Sequence, residues 1–515
     1  MRFASSALSA LSASALLLSG AGAMELNLDD PASIKKAAGI AAAGMRKLYT
    51  GDNPGDVAGN LPDPYYWWEA GAMFGALIDY WYYTGDDQYN NITAQAMQHQ
   101  IGQYNAFMPN NQSKSLGNDD QAFWGMAAMS AAENKLPDLP TKGDLAGPSW
   151  LALAQAVFNT QAVRWNDKTC GGGLNWQIYQ FNNGYTYRNT ISNGCYFNIA
   201  ARLYKYTGNE TYNKEAVKTW NWESRIGLFD KELHFYDGSD ETKNCSDINQ
   251  IQWTYNLGVH LSGAAAMWNA TQDDIWKERI TQMIKTMGET FFKNDVMYEV
   301  ACELNGKCNT DQRSFKAYLA RWMGYTMLVA PWTKDLMWTK IRTSAAAAAK
   351  QCNAAGTNQC GLRWYNDGVN DGSTGVGEQM AAMEIIQNLL ISNVSGPVTE
   401  KKGGTSKSDP TAGGEAEIDP IVFSEITTGD KAGAGFLTTV VLIGILAVGQ
   451  KIFNLKTWKK LPESTTMCDH SWDDSPNPFT NPIVFYATGP EYGPCTLLTA
   501  CLGHPFFLHP TFTED

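Results

Sequence analysis

The amino-acid sequence predicts an all-α protein, an (α/α)6 barrel in which six helical hairpins close into a ring. One observation is a repeat: aromatic residues that open helical stretches recur at steps of 61 to 64 residues, a period typical of stacked helical units. They are Tyr89, Trp150, Tyr212, Trp276 and Trp338. The other observation is that each unit carries one helical pattern that is apolar on nearly all sides and one that is amphipathic. This alternation predicts an inner ring of buried helices and an outer ring with one solvated face.

Twelve helices follow from these patterns, in the order of the chain. The predicted outer helices cover residues 32–49, 88–103, 148–163, 210–221, 273–289 and 334–351. The predicted inner helices cover residues 65–83, 119–133, 188–206, 251–268, 311–330 and 374–391. An open solenoid of hairpins is the alternative architecture, but the limit of six units, each with a buried inner helix, favours a closed ring.

The N-terminus, residues 1–23, has the pattern of a secretory signal peptide. A positively charged start is followed by an apolar run over residues 8–18 and an Ala-x-Ala cleavage site at residues 21–23. We therefore expect the barrel, residues 24–395, to be secreted. Six Asn-x-Ser/Thr sequons agree with a secretory route and predict glycosylation. They begin at Asn91, Asn111, Asn209, Asn244, Asn269 and Asn393.

Beyond the barrel, the composition of the chain changes three times. Residues 396–431 are rich in Lys, Gly, Ser and Thr and predict a flexible polar linker. Residues 432–449 form an uncharged apolar run, which is typical of a GPI-anchor signal or of a short transmembrane segment. A GPI signal should end the chain, yet residues 450–515 follow it. This tail is therefore of doubtful status, either a genuine extension or the product of a wrongly assigned gene end.

The charge and the aromatic content restrict the class of partner. The net charge of -13 argues against nucleic acid, because duplex binding depends on Lys and Arg side chains that neutralise phosphates. The chain contains 18 Trp, 23 Tyr and 20 Phe, and such rings either fill a core or stack on sugars. The acidity leaves sugars as the better candidate. The histidines are scattered and no Cys-x-x-Cys motif occurs, so the sequence predicts no metal site.

Seven of the ten cysteines lie in the barrel region. Cys302 with Cys308 and Cys352 with Cys360 are close in loop-like sequence, and we predict two small disulfide loops. The other three are Cys170, Cys195 and Cys245. An odd number leaves one thiol unpaired, and Cys195 is the candidate because it falls within a helical pattern.

In a ring of alternating helices, the N-terminal ends of all inner helices meet on one face, which we call the mouth. The sequences that begin these helices are rich in aromatic and amide side chains, with a few charges. They include residues 64–69, 117–124, 187–194, 252–256 and 311–316. Flat sugar faces stack on aromatic rings, and sugar hydroxyls need paired donors and acceptors. The mouth is therefore the predicted carbohydrate cleft.

Four Asp-Asp pairs lie in the barrel region, residues 24–395, and one of them is the candidate catalytic pair. The pairs at residues 29–30, 86–87 and 273–274 precede outer helices, where Asp is an ordinary N-cap. Asp119-Asp120 lies instead at the mouth, beside aromatic residues. A plain capping role is the alternative for this pair.

Neighbouring carboxyls at a helix start can divide the work of acid and nucleophile. They can lie roughly 5–5.5 Å apart, the spacing that retaining glycosidases use. At this distance and an effective dielectric near 20, two carboxylates repel by about 3 kcal/mol, or roughly two pKa units. One carboxyl then stays ionised as nucleophile while the other keeps a proton as general acid. Charge repulsion within the pair leaves open which of Asp119 and Asp120 takes which role.

Five stretches of this sequence resemble glycoside hydrolase family 76, the endo-α-1,6-mannanases, and more narrowly its fungal branch. They are Gly117-Asn-Asp-Asp-Gln-Ala-Phe-Trp124, Thr169-Cys-Gly-Gly-Gly-Leu-Asn-Trp176, Asn189-Thr-Ile-Ser-Asn-Gly194, Trp253-Thr-Tyr-Asn256 and Asp311-Gln-Arg-Ser-Phe-Lys316. The resemblance implies an (α/α)6 barrel with Asp119 as nucleophile and Asp120 as acid/base. By motif position it also implies sugar contacts, with helix capping and packing as the alternative for each. These residues are Asn118, Trp176, Asn189, Asn193, Tyr255, Asn256, Gln312 and Lys316.

The resemblance further implies a retaining enzyme that cleaves an α-1,6-mannosidic bond without a cofactor. The fungal branch is proposed to attach GPI-linked proteins to the cell wall, which implies α-1,6-linked mannan or GPI-core glycan as donor and β-glucan as candidate acceptor. We also expect a monomer that is anchored through its C-terminal segment on the outer face of the cell membrane or in the wall. Water as acceptor gives a mannanase, and a sugar hydroxyl gives a transglycosylase. The rivals are a wall-glycan binding protein without activity and another (α/α)6 enzyme, such as a lyase or an inverting hydrolase.

Overall fold

The structure is a computed structural model that describes residues 23–354, 357–414, 428–453, 483–486 and 497–500. Two rings of α-helices build the barrel, and all twelve predicted helices are present. The outer helices are α1 (Pro31–Arg46), α3 (Asn90–His99), α5 (Trp150–Val163), α7 (Glu210–Ile226), α9 (Asp274–Thr290) and α11 (Lys334–Gln351). The inner helices are α2 (Trp67–Thr84), α4 (Asn118–Glu133), α6 (Thr190–Thr207), α8 (Thr254–Thr271), α10 (Phe315–Val329) and α12 (Val376–Gln387).

The inner helices form a closed ring. Each packs against the next inner helix along the chain, α12 packs against α2, and α1 also packs against α12 and joins the two ends. The open solenoid is therefore wrong, and the predicted (α/α)6 barrel is confirmed. The inner α12 buries all of its residues, whereas the outer α7 and α9 each bury one face. This is the difference that the two helical patterns predicted.

Buried ion pairs tie the inner helices together in the interior of the barrel. Arg202 of α6 pairs with Glu133 of α4 at 2.7 Å. Arg321 of α10 pairs with Asp79 of α2 at 3.0 Å and with Glu384 of α12 at 2.9 Å. A buried charge without a partner is costly, so these pairs favour one arrangement of the five helices that carry them.

Five of the six inner helices begin two to four residues later than predicted, and at two of them, α6 and α10, a short element precedes the helix at the mouth. A three-residue strand, β1 (Tyr187–Asn189), comes before α6, and a 3-10 turn (Asp311–Arg313) comes before α10. β1 pairs antiparallel with β2 (Gly238–Asp240), and β2 pairs with β3 (Ile248–Asn249). The sequence does not predict this small sheet, because strands of two or three residues carry no periodic signal. Further short strands are β4 (Phe292–Lys293), β5 (Val296–Met297), β6 (Cys352–Ala354) and β7 (Gln359–Cys360).

Residues 396–414, here called the strap, are held on the outside of the barrel, which corrects part of the predicted flexible linker. The Gln155 side chain on α5 accepts a hydrogen bond from the Asp409 N–H at 2.7 Å. Asn159, one turn later on α5, donates to the carbonyl oxygen of Ala412 at 2.8 Å. Amide side chains of α5 form hydrogen bonds with the backbone of the strap. The amino-acid composition of the strap carries no information about these partners.

Three disulfides lie in the described part of the barrel. They join Cys170 to Cys245, Cys302 to Cys308 and Cys352 to Cys360. The last two are the predicted loops, and the buried free thiol of Cys195 in α6 is also as predicted. All six sequon asparagines are exposed, and their glycosylation stays a prediction.

A second unit, which begins at Phe423, contains α13 (Thr428–Phe453) and an antiparallel pair of strands. The strands are β8 (Ile483–Tyr486) and β9 (Leu497–Ala500), both within the tail. Of the helices in the described ranges, none combines the length and apolar character needed to cross a membrane. Residues 1–22 and 415–427 lie outside the described residues, so the signal peptide stays a prediction. The roles of the apolar segment and of the tail also stay predictions.

Candidate active site

Asp119 and Asp120 lie in the first turn of α4, at the mouth of the barrel. Gly117 precedes the helix in extended backbone, and its N–H donates to Asp120 Oδ2 at 2.6 Å. The Asp120 N–H donates to Asp119 Oδ1 at 3.0 Å. Backbone donors at the helix N-terminus therefore stabilise negative charge on both carboxyls. The capping alternative is correct in part, since Asp120 binds the N–H of the residue before the helix.

The two carboxyls are close together because both lie beside Gly117. A Cβ atom added at Gly117 would stand 2.3 Å from Asp119 Oδ1 and 3.0 Å from Asp120 Oδ2. These oxygens are therefore no farther apart than the sum of the two distances, which agrees with the roughly 5–5.5 Å of retaining glycosidases. A residue with a side chain at position 117 would have to displace them.

Burial raises the pKa of both carboxyls, and the second rises further. Asp119 is 8% exposed, and burial raises its pKa to about 6 while hydrogen bonds from Asn189 and backbone N–H groups oppose the rise. Burial, and then the charge of Asp119, raise the pKa of Asp120 well above its ordinary value. The charge of Asp311 also raises the pKa of both carboxyls. This environment favours an ionised Asp119 next to a protonated Asp120.

The start of α6 holds Asp119 in place. Asn189 Nδ2 donates to Asp119 Oδ2 at 3.1 Å, while Asn189 Oδ1 accepts from the Ser192 N–H and caps α6. Asn189 is therefore at the site, and its contact with a sugar stays a prediction. For Asn193 the structure differs from the prediction, because it is fully buried and both polar atoms of its amide bind the backbone of Leu174.

Asn118 is buried, and both polar atoms of its side chain form hydrogen bonds within the protein. Its Nδ2 donates to the Asn175 carbonyl at 2.8 Å, and its Oδ1 accepts from Arg164 Nε at 2.8 Å. Its backbone N–H donates to the Trp176 carbonyl at 2.8 Å. These contacts fix the first residue of α4, so they indicate a positioning role in place of the predicted sugar contact.

The start of α8 contributes a half-buried ring and a buried amide. Tyr255 stacks on Phe315 with ring centres 3.9 Å apart. Burial, followed by the charges of Asp237 and Asp119, raises the pKa of Tyr255 well above its ordinary value, so its hydroxyl keeps its proton. Tyr255 stays a predicted sugar contact. Asn256 is fully buried and donates to a backbone carbonyl, which places it below the surface that a sugar would reach.

The two residues predicted from the start of α10 have different surroundings. Lys316 is fully buried, and its Nζ pairs with Glu303 Oε1 at 2.8 Å and lies 4.0 Å from the centre of the Trp364 ring. The structure therefore differs from the prediction of a sugar contact, since the ammonium group is enclosed with its counterion. Gln312 is half-buried and accepts from the Asn309 N–H at 3.0 Å, and its sugar contact stays a prediction.

Trp176 forms a wall of a cavity of about 510 Å³, which we call the Trp176 cavity. Its lining consists of Trp176, Gly184, Tyr187, Asp237, Asp240, Lys243, Asp247 and Asn249. Asp237 accepts hydrogen bonds from the Tyr187 hydroxyl at 2.6 Å and from Trp253 Nε1 at 2.9 Å. A flat ring beside fixed polar groups is typical of a sugar site, which supports the prediction for Trp176.

Sequence reasoning missed two carboxyls, those of Asp237 and Asp311. Asp311 Oδ1 accepts from Trp68 Nε1 at 3.1 Å and is half-buried opposite the aspartate pair. It begins one of the mouth stretches, so treating every acidic residue there as a candidate would have found it. Asp237 lies on irregular chain between α7 and β2, where no periodic pattern distinguishes it from other loop aspartates.

Comparison with known proteins agrees with this architecture. The model of glycosyl hydrolase family 76 matches residues 33–401. The chain is 46% identical over 428 residues to the mannan endo-1,6-alpha-mannosidase DCW1 of Candida glabrata, which covers 82% of this chain and 94% of that relative.

Solved structures show the same fold. The crystal structure of Dfg5 from Chaetomium thermophilum in complex with glucosamine is 43% identical, with a TM-score of 0.72 over 75% of this chain and 97% of that chain. An inactive variant of an alpha-1,6-mannanase of Salegentibacter sp. HEL1_6 is 17% identical, with a TM-score of 0.56 over 69% of this chain and 99% of that chain. The family model and the relatives span most of the barrel, and the chain therefore belongs to glycosyl hydrolase family 76, which makes it a glycosidase rather than a binding protein on the same fold.

Proposed function

We propose that this protein is a retaining enzyme that cleaves α-1,6-mannosidic bonds and transfers the mannosyl group to an acceptor. The observation that carries the proposal is the pair Asp119 and Asp120, whose carboxyls share the space beside Gly117 and differ in pKa. The relative DCW1 is named a mannan endo-1,6-alpha-mannosidase, and the Salegentibacter mannanase variant is described in complex with alpha-1,6-mannotriose. These names support α-1,6-linked mannose as the donor.

In the first step, an Asp119 carboxylate oxygen attacks the anomeric carbon of the mannosyl unit. The bond from that carbon to the leaving sugar oxygen breaks, and Asp120 gives its proton to this oxygen. The product is a mannosyl ester of Asp119 and an ionised Asp120. Asn189 and the Asp120 N–H, which hold the Asp119 carboxylate, keep its oxygens in place for the attack.

In the second step, Asp120 acts as a base. Its carboxylate takes a proton from the incoming hydroxyl group, the oxygen of that group attacks the anomeric carbon, and Asp119 leaves as a carboxylate. Two inversions give net retention. The acceptor hydroxyl belongs to water in hydrolysis and to a sugar in transfer, and the aspartate chemistry is the same for both.

An inverting hydrolase is the rival mechanism. It needs roughly 6.5–9.5 Å between the carboxyl groups to accommodate a water molecule. The shared position beside Gly117 keeps Asp119 Oδ1 and Asp120 Oδ2 closer than that. The geometry therefore favours retention.

Trapping the intermediate tests the proposal. We expect a mechanism-based fluorinated mannoside to label Asp119, as read by peptide mass spectrometry, and the Asp119→Ala variant to remain unlabelled. We also expect NMR to show an α-anomer as the first-formed product. A β-anomer, or a label on another residue, would contradict the retaining mechanism with Asp119 as nucleophile.

We further propose that the protein is a secreted monomer that acts at the outer face of the cell membrane or in the wall. α-1,6-linked mannan or GPI-core glycan is the proposed donor, β-glucan is the proposed acceptor, and the C-terminal segment is the proposed anchor. The exposed sequons and the three disulfides support an oxidising secretory route. Mass spectrometry of the mature C-terminus tests the anchor, because a GPI-modified residue before residue 432 is the expected end, and recovery of peptides from 450–515 contradicts it.

A further inference from the structure

A cavity of about 560 Å³ opens on the outer wall of the barrel, and we call it the flank cavity. Its walls are formed by one face of α11, the β4–β5 hairpin, the loop at residues 364–367 and Leu28. None of its lining residues belongs to an inner helix. The flank cavity is therefore separate from the cleft at the aspartate pair, and the mannosidic chemistry makes no use of it.

The flank cavity is built on elements that are fixed to one another. Its α11 face carries short side chains at steps of three or four residues, which leave space between the helix and the hairpin. They are Thr339, Thr343, Ala346 and Ala347. On the hairpin, Asp295 pairs with Lys340 of α11 at 2.6 Å, and its carbonyl oxygen accepts a hydrogen bond from Ser344 Oγ at 3.2 Å. The Met297 N–H donates to the same Ser344 oxygen at 3.0 Å, so the cavity is formed before a ligand arrives.

The flank cavity has an excess of positive charge, although the chain as a whole has a net charge of -13. Lys293 and Lys350 lie in its lining with exposed side chains, and within the described ranges neither forms a salt bridge. Arg342 also lines the cavity, but its terminal nitrogens donate to the two carboxylate oxygens of Asp29 at 2.7 Å and 3.1 Å. Asp367 is the one carboxylate in the lining. Two ammonium groups without counterions outweigh one carboxylate, so the cavity attracts an anion.

The other polar groups of the lining suit a sugar. The Tyr365 ring is half-buried, and Lys293 Nζ lies 5.5 Å from its centre. The hydroxyls of Thr339 and Thr343 have no hydrogen-bond partner in the described part of the chain, and Asn294 adds an amide. Rings bind the faces of sugars, and hydroxyl and amide groups bind sugar hydroxyls. Because lysine ammonium groups bind phosphate as point charges, this combination is typical of a site for a phosphorylated sugar.

The flank cavity and the Trp176 cavity differ in the sign of their charge. The Trp176 cavity has three carboxylates and one cation: Asp237, Asp240, Asp247 and Lys243. A phosphate group is repelled there and attracted at the flank cavity, since charges on the wall of a cleft concentrate ligands of the opposite sign. Lipid bilayers also carry phosphate groups, but none of the large apolar side chains that line the flank cavity is exposed. Binding to a bilayer surface relies on such side chains, so the lining favours a glycan.

We propose that the flank cavity binds a phosphate monoester carried by a sugar chain, at a site separate from the cleft in which mannosidic bonds are cleaved. Lys293 and Lys350 hold the phosphate, and Tyr365 contacts the adjoining sugar ring. The site goes beyond the proposed mannosidase activity and does not depend on it. It holds an anionic glycan against the outer wall of the barrel while the mouth stays free for the substrate.

Calorimetric titration of the full-length protein tests the site. The probes are mannose 6-phosphate, inorganic phosphate and uncharged mannose, at a pH above about 6, where a phosphate monoester carries two charges. We expect Lys293→Gln/Lys350→Gln to weaken mannose 6-phosphate binding about tenfold or more, because each ammonium group supplies a charge-assisted bond. Lys214→Gln/Lys285→Gln, which changes two exposed lysines on α7 and α9, is the matched control. It should leave binding within about twofold, because distant surface charges are screened.

A second variant separates recognition of the sugar from recognition of the ion. Tyr365→Ala should weaken mannose 6-phosphate binding severalfold and leave inorganic phosphate binding unchanged, because the ring contacts the sugar alone. Inorganic phosphate that binds as tightly as mannose 6-phosphate, with no effect of Tyr365→Ala, would mean an ion site only and would overturn the proposal.

The remaining outcomes also decide the proposal. Mannose 6-phosphate binding that is absent, or that survives the change of both lysines, overturns it. Uncharged mannose that binds with equal strength overturns it as well, because the charge would then play no part. Tighter lysine-dependent binding to vesicles that contain phosphatidic acid would assign the site to a membrane surface and refute the glycan.

Discussion

At the scale of the residue, Asp119 and Asp120 have the same chemistry and different surroundings. Asp119 accepts from the amide of Asn189 and from a backbone N–H, and such donors stabilise its anion. Asp120 accepts from the Gly117 N–H and lies near the charges of Asp119 and Asp311. The proton of the pair therefore resides mainly on Asp120, and the apparent pKa values in a rate profile belong to the pair as a whole.

Asp311→Asn should move the pH dependence of catalysis toward acid. Its charge raises the pKa of both aspartates, so removing the charge lowers both. Both limbs of the kcat/KM profile, which report the two apparent pKa values of the pair, should therefore move to lower pH. The measurement is a pH–rate profile on an α-1,6-mannoside. Asp87→Asn, remote at the start of an outer hairpin, should leave the profile in place, and an upward shift for Asp311→Asn would refute the electrostatic role.

Gly117→Ala should reduce kcat about 100-fold with little effect on the thermal midpoint. Its backbone conformation suits alanine, but the new Cβ would lie 2.3 Å from Asp119 Oδ1 and must displace that carboxyl. A displacement of about 1 Å in a reacting group can cost 10²-fold in rate. Gly396→Ala, where the nearest atom is a carbonyl oxygen 3.3 Å away, serves as the matched control. Steady-state kinetics and a melting curve check the result, and full activity in Gly117→Ala would show that the pair tolerates a wider spacing.

Lys316→Met should lower stability rather than substrate affinity. The change leaves Glu303 buried without its counterion, which typically costs about 3–5 kcal/mol. KM measured on the folded fraction should stay near that of the unmodified protein, because the ammonium group is enclosed. Lys36→Met, on the exposed face of α1, should change neither property. A raised KM at an unchanged melting temperature would contradict this expectation and would support the predicted contact between Lys316 and a sugar.

At the scale of the element, the sequence predicts the helices well and the mouth less well. α2 and α12 are recognisable because long apolar patterns reflect burial on all sides. The Asp119 position follows from the same reasoning, since the start of an inner helix must lie at the mouth. Asn193 and Lys316 lie on the same helix starts, yet their side chains turn into the protein. One helix turn presents side chains in several directions, and a motif does not state which direction faces the ligand.

The strap, residues 396–414, is a segment whose structure could not be predicted from its sequence, because it has no helical or strand periodicity. Its polar composition indicates flexibility, but its order depends on side chains more than 200 residues away, chiefly Gln155 and Asn159. Asn159→Ala removes hydrogen bonds to the carbonyls of Pro410 and Ala412. We expect limited proteolysis within the strap to accelerate severalfold while mannosidase activity is retained. Asn221→Ala on the exposed side of α7 is the control, and unchanged cleavage for Asn159→Ala would mean that other contacts hold the strap.

At the scale of the whole molecule, the barrel encloses carboxyls whose pKa lies above the ordinary range. Burial raises the pKa of Glu299 to about 8 and that of Asp119 to about 6. Each of these groups keeps its proton in the folded protein at a pH where the unfolded chain has lost it. The folded state then binds more protons, so its stability falls as pH rises from about 4.5 to about 8. The same burial that tunes the catalytic pair therefore makes the fold most stable under mildly acidic conditions.

Glu299→Gln should flatten this dependence. Glu299 accepts hydrogen bonds from the N–H and hydroxyl of Thr254 at the start of α8, and a glutamine oxygen can accept them without ionising. We expect the melting temperature of the unmodified protein to fall by about 5 °C or more between pH 5 and pH 8, and that of the variant to fall by clearly less. Scanning fluorimetry across this range measures both curves, with the exposed Glu289→Gln on α9 as control. A fall of equal size in the variant would show that Glu299 ionises in the folded protein at its ordinary pKa, and the acid preference of the barrel would then have to come from Asp119 and the other carboxyls at its mouth.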